Sequence, residues 1–247
     1  MINDDIDKDV IIISPYHCAS TSLLYNIGHI LNKNFINDWD KNRFPEKIFR
    51  VRKYHFYKEG MESHIRFIRK FEHNKNIIII PFRKKSKIIL SGYLQSINNC
   101  IINKNFQKTE DWVNYFKNWI EENKDKAWYN VKYINDLKKR KTQTFAKKKN
   151  ISHKNFLKYK DKKSTFYILN VNEKINDDFY CEIYKEYYNK DYIGNFISEK
   201  INVTKNYFKE KNSRNLDYNK FYNLVYQDIE LNNVLTNFDK DYYKIIS

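Results

Sequence analysis

The sequence predicts an α/β fold, built on a central parallel sheet flanked by helices. Two short apolar runs and the helical periodicity that follows each of them carry this expectation. Val10-Ile11-Ile12-Ile13 and Ile77-Ile78-Ile79-Ile80 are continuous and β-branched. They are too short for helices and lack the alternation of a half-exposed strand, so both read as strands buried on two faces. After the first run and a polar turn, Leu23, Leu24, Ile27, Ile30 and Leu31 share one helical face over 22–31. Strand, loop and helix in that order open a βαβ unit.

The remaining elements follow in chain order. Lys47 to Tyr57 (KIFRVRKYHFY) alternates enough for another strand, and a helix is expected across Gly60 to Phe71. Ile77 to Ile80 leads through a basic turn into a helix over Ile88 to Ile97. Thr109 reads as an N-cap, with Glu110 and Asp111 favourable in the first turn and Trp112, Val113, Phe116 and Ile120 as its apolar stripe. Thr165 to Val171 is a further core strand. The last third is helical and aromatic, with Phe221, Leu224, Val225 and Ile229 at helical spacing. No repeat or linker divides the 247 residues, so one domain over 1–247 is expected, with a basic insertion or substrate-facing segment around 104–164.

Composition narrows the function classes. Hydrophobic residues make up 41% and aromatic residues 17%, which supports a packed interior despite a mean hydropathy of -0.82. The formal net charge is +16, and between Lys138 and Lys163 twelve Lys or Arg stand against the single acid Asp161. Such a run reads as a solvated face that attracts a polyanion: nucleic acid, a membrane surface or an acidic polysaccharide. Three distant cysteines with no CxxC pair argue against a disulfide framework and fit a reducing compartment. The six histidines show no metal spacing, so no metal is expected. The start MINDDIDKDV reads as neither signal peptide nor membrane anchor, which predicts a soluble, cytoplasmic protein with no membrane span.

The loop after the first strand, Ser14-Pro15-Tyr16-His17-Cys18-Ala19-Ser20-Thr21-Ser22, is the first place where chemistry is legible. Backbone N–H groups at a helix start are unpaired and the helix dipole is positive there, so a strand–loop–helix is a ready anion site. Ser20, Thr21 and Ser22 add hydroxyl donors to that cradle. GxxxxGK[ST] is absent, which sets aside nucleotide hydrolysis through a Walker A loop. An ordinary Ser/Thr-rich helix cap remains open as the alternative.

The run His17-Cys18-Ala19-Ser20-Thr21-Ser22 resembles the 5′-phosphosulfate loop of sulfotransferases, closest to the uronyl 2-O-sulfotransferases of glycosaminoglycan synthesis. In that family a lysine precedes the small residues and contacts the leaving phosphate. Here His17 takes its place, and histidine is a cation only when protonated. The family's 3′-phosphate motif, an apolar strand, an Arg and a Ser eight residues on, is similar to Ile77–Ile80, Arg83 and Ser91. Arginine offers a planar fork to phosphate oxygens and serine a neutral donor. The family's Asp-Pro after the arginine is replaced by Lys84-Lys85, and with Lys87 these would strengthen the field around a 3′-phosphate. The resemblance also implies a catalytic histidine between the two motifs, and His55 in Arg52-Lys53-Tyr54-His55 is at that place in the order. An imidazole, with its ordinary pKa of about 6.5, suits general-base work.

The resemblance spans the chain in order from Ile11 to Leu231, but residues 103–164 match nothing in it. It implies a P-loop-like three-layer fold and an enzyme using 3′-phosphoadenylyl sulfate (PAPS) as co-substrate. Cys18, Ala19, Ser20, Thr21 and Ser22 would hold the 5′-phosphosulfate, and Arg83 and Ser91 the 3′-phosphate. His55 would act as base, His17 would assist the leaving group, and an acidic carbohydrate would be the acceptor. Tyr226 to Leu231 is similar to a structural helix of carbohydrate sulfotransferases, and Lys205, Lys211 and Arg214 fall where the family has a basic loop. Two other readings stay open: a basic protein that binds nucleic acid or another polyanion, and a sulfotransferase fold that binds without catalysis.

Overall fold

The structure is a computed structural model that describes residues 8–14, 18–37, 50–55, 75–98, 101–123, 151–153, 156–160, 164–172, 175–199 and 216–246. The chain divides into two compact units, Met1–Arg83 with Lys132–Ile201 and Lys84–Val131 with Asn202–Ser247. The helix expected across Gly60 to Phe71 lies outside the described residues.

The first unit is α/β. Its seven strands are β1 (Val10–Ser14), β2 (Phe35–Asn37), β3 (Val51–His55), β4 (Ile77–Phe82), β5 (Ile151–His153), β6 (Phe156–Lys160) and β7 (Thr165–Asn170). They lie side by side in the order β2-β3-β1-β4-β7-β6-β5. The first five of these run parallel, β6 is antiparallel to β7, and β5 is antiparallel to β6. The two isoleucine-rich runs are β1 and β4, adjacent at the centre of the sheet, and Val10 to Ile13 are all 0% exposed. Successive side chains of a strand point to opposite faces of the sheet, and here both faces are buried, which is why these runs do not alternate. Helix α1 (Ser20–Leu31) packs on β1, β2 and β3 and against α4 (Asp177–Tyr188), which also reaches β4.

Helix α1 is held at its far end by a close approach. A Cβ on Gly28 would lie 2.1 Å from the Phe35 ring, so glycine is required where β2 crosses the helix. Asn32 then turns left-handed at φ 49°, and the Lys33 N–H returns to the Gly28 carbonyl at 3.0 Å, a Schellman-type stop.

Part of the basic segment departs from the expectation of a solvated face. Strands β5 and β6 join the sheet as an antiparallel pair, with Phe156 and Tyr159 buried. Lys158 pairs with Glu182 at 2.6 Å and Glu186 at 2.8 Å, and Lys160 pairs with Glu186 at 2.8 Å. Thr165 also donates to Glu186, and the Lys8 ammonium donates to the Glu186 carbonyl at the C-terminus of α4. Burial by itself would raise the Glu186 carboxyl, but these lysine and threonine hydrogen bonds bring it down to about 2. At least these two lysines therefore fasten α4 to the sheet, with Lys158 itself only 15% exposed at its side chain.

The second unit is helical in its described residues: α2 (Lys85–Asn98), α3 (Thr109–Asn123), α5 (Tyr218–Gln227) and α6 (Ile229–Ile246). Its core is aromatic. The Tyr93 ring lies 4.7 Å from Phe116 and 5.7 Å from Phe221, and its hydroxyl donates to the Trp112 carbonyl at 2.7 Å. Two local expectations are corrected here. Thr109 is the first helical residue of α3 and its hydroxyl accepts from the Asp217 N–H, so it steadies the start of α5 rather than capping α3. Tyr226 to Leu231 is a junction between two helices. Asp228 is extended (φ -72°, ψ 110°), accepts from the Leu231 N–H and pairs with Lys117 at 2.7 Å. Residues 104–164 likewise contribute to both units, α3 to one and β5 and β6 to the other.

Candidate functional site

The parallel strands bring three chain segments to one edge of the sheet in the first unit. β1 ends at Ser14, which pairs in register with His55 at the end of β3, while β4 on the other side of β1 ends at Phe82, just before Arg83. In open α/β sheets, ligands are held beyond the carboxyl ends of such strands. His17 lies outside the described residues, as does the side chain of His55, whose backbone belongs to β3.

Beyond the loop, the start of α1 is built without a side-chain cap. Cys18 is wholly buried, and burial pushes its thiol up to about 12, against an opposing pull from the positive charge of Arg83. Ala19 is the N-cap, in a left-handed conformation at φ 54°, and makes no side-chain capping bond. Alanine has no oxygen to offer the N–H groups of the first turn, and no acidic side chain stands in that turn. Ser20, Thr21 and Ser22 are therefore the first three helical residues, and none of them is the cap.

Lys53 is a candidate site residue that the sequence reading passed over. It is 4% exposed, and its ammonium donates to the Thr21 hydroxyl at 3.0 Å. A buried lysine demands close polar partners, because desolvating an ammonium is costly. The signal was in the strand parity. Lys53 shares a face of β3 with Val51, which is fully buried, so a charged residue falls at a core position. Chemically, the loop's end combines a helix N-terminus, a lysine and a nearby arginine, a set that complements a phosphate or sulfate group.

The second strand–turn–helix differs. Ser91 lies in α2 of the second unit and is 9% exposed. The N-terminus of α2 already carries an anion: the buried Asp239 of α6 accepts from the Ser86 N–H at 3.0 Å and from the Ser86 hydroxyl at 2.6 Å. Lys85, expected to contribute to a phosphate field, has its ammonium 4.4 Å from the centre of the Phe238 ring.

Among the described residues, no group of three or more His, Cys, Asp or Glu is placed to hold a metal ion, and no helix is long and apolar enough to cross a membrane. No family model, curated protein or solved structure matches the chain.

Proposed function

We propose that the chain is a sulfotransferase that moves the sulfuryl group of 3′-phosphoadenylyl sulfate onto a hydroxyl of a carbohydrate acceptor, on a P-loop-like three-layer fold. The observation that carries this reading is the buried Lys53 ammonium on Thr21, in the first turn of α1 at the carboxyl end of β1. Lys53 gives the site a standing positive charge where the loop itself has His17 in place of lysine. The Arg83 charge, felt at Cys18, supports a second phosphate contact beside the loop, and it takes the nucleotide's 3′-phosphate.

The chemistry then needs little from the protein beyond positioning and electrostatics. The acceptor oxygen attacks sulfur in line and gives its proton to the His55 imidazole. The bond from sulfur to the bridging oxygen breaks, and its electron pair leaves with 3′-phosphoadenosine 5′-phosphate. Lys53, the first-turn N–H groups and protonated His17 stabilise that departing charge.

Thermal unfolding with 3′-phosphoadenosine 5′-phosphate, and with AMP as control, tests the reading, because a ligand that binds only the folded state raises the melting temperature. A rise with the bisphosphate alone is expected. Arg83→Ala should weaken nucleotide binding, whereas His55→Ala should abolish turnover with binding kept. No rise at millimolar ligand would overturn the assignment and leave polyanion binding as the reading to pursue.

A further inference from the structure

Residues Lys190 to Glu199 run as a strap with no helix or strand of their own. Its contacts are mostly with α4. Tyr192 packs on Tyr184 with ring centres 5.0 Å apart, Phe196 packs on Tyr180 at 5.4 Å, and the Ser198 N–H donates to Asp177 at 3.2 Å. Asn26 carries the strap across to α1. Its side-chain oxygen accepts from the Glu199 N–H at 2.8 Å, and its Nδ2 donates to the Glu199 carbonyl at 2.8 Å. One side chain thus reads both backbone groups of Glu199, as a neighbouring strand would.

The same Nδ2 also donates to the Ser22 carbonyl at 2.8 Å. Ser22 is the third residue of α1, inside the turn whose N–H groups face the proposed anion. Asn26 is 2% exposed and sits among Leu23, Ile27 and Ile30, on a face where an aliphatic side chain would satisfy packing. A buried amide there is costly unless every hydrogen bond is made. Those bonds link the strap and the first turn of α1, and a side-chain hydrogen bond to Tyr180 adds α4 as a third partner.

We propose that Asn26 is a positioning residue that couples docking of the strap to anion binding at the first turn of α1. The inference rests on the nucleotide reading above. With the strap docked, Asn26 holds the Ser22 carbonyl and hence the orientation of the first turn. Undocking frees Asn26 to shift and loosens that turn. By linkage, the anion then favours the docked strap as much as the strap favours the anion.

Glu199→Pro deletes the N–H that Asn26 accepts and leaves the bond from Asn26 to Ser22 intact. Calorimetric titration with 3′-phosphoadenosine 5′-phosphate is expected to show binding weaker by about fivefold or more in this variant, the lower end of ordinary coupling. In the wild type, hydrogen exchange at the Glu199 amide should slow when the nucleotide is added, a response that a purely structural contact would not give. Asn26→Leu should lose the same factor, and the double variant no more than either alone. Where Asn26→Leu fails to fold, Glu199→Pro decides. Equal affinity in Glu199→Pro, with exchange at Glu199 indifferent to ligand, would overturn the coupling and leave the nucleotide reading standing. No binding to the wild type would remove that reading, and the coupling with it.

Discussion

Helices α1 and α2 each follow a central, isoleucine-rich strand, and neither has an acidic residue in its first turn. By sequence they look like two equivalent anion sites. They differ in what meets their N-termini. At α2 the carboxylate of Asp239, 153 positions away in sequence, already accepts from the Ser86 N–H and hydroxyl. At α1 the cap is a left-handed alanine with no side-chain oxygen to give, and a cation, Lys53, donates to the Thr21 hydroxyl. A helix start that the fold neutralises with its own acid is a structural joint. One that it meets with a lysine has the charge that would complement an anion from outside, which is the basis of the function proposed above.

The largest test of this contrast is Lys53→Met, which keeps the volume and removes the charge. Turnover should fall by about two to three orders of magnitude, the cost of losing one donor to a developing anion, while unfolding curves show the fold intact. Turnover within tenfold of wild type would break the comparison at its charged end.

The contrast also depends on which lysines near the sheet are already committed, and Glu186 tests that. Its carboxyl titrates at about 2 in the folded chain against an ordinary 4.5. A carboxyl with a lowered pKa adds stability above 4.5 that is lost as pH falls towards 2. The difference corresponds to at most about 3 kcal/mol. Glu186→Gln should therefore be less stable near neutrality and show a flatter stability profile between pH 4.5 and 2. An unchanged profile would mean that Lys158 and Lys160 are not held as described.

Asp239→Ala probes the filled helix start. Leaving the Ser86 N–H and hydroxyl without their acceptor should cost about 2 kcal/mol in denaturant unfolding. Nucleotide affinity should stay within twofold, and a tenfold loss would show that the α2 end belongs to the binding site after all. The smallest effect is expected for Ala19→Gly. Glycine takes the left-handed conformation without strain but has more freedom to lose on folding. The net gain should be under about 1 kcal/mol by thermal unfolding. A loss of stability would contradict the left-handed cap.

Much of the frame was legible in particular residues. Val10 to Ile13 and Ile77 to Ile80 announced central parallel strands because burial on both faces removes alternation. The α1 stripe from Leu23 to Leu31 announced its helix. The β5–β6 pair was hidden by its lysines, which look solvated until Glu182 and Glu186 arrive from a later helix. In the same way, Asp228 read as part of one helix, although its side chain ends one helix and starts the next.

At the candidate site, the sequence by itself determined the loop, its hydroxyls and the order of Ser20–Ser22, His55 and Arg83, because spacing and residue type are local properties. Only the tertiary structure decided that Ala19 is the cap, that Lys53 reaches Thr21, that Asn26 ties Ser22 to Glu199, and that Asp239 occupies the start of α2. The bonds of Lys53 to Thr21, Asn26 to Glu199 and Asp239 to Ser86 are partnerships between residues far apart in sequence. Hydrogen bonds and charges act over a few ångströms of space, and only the folded chain settles which groups come that close.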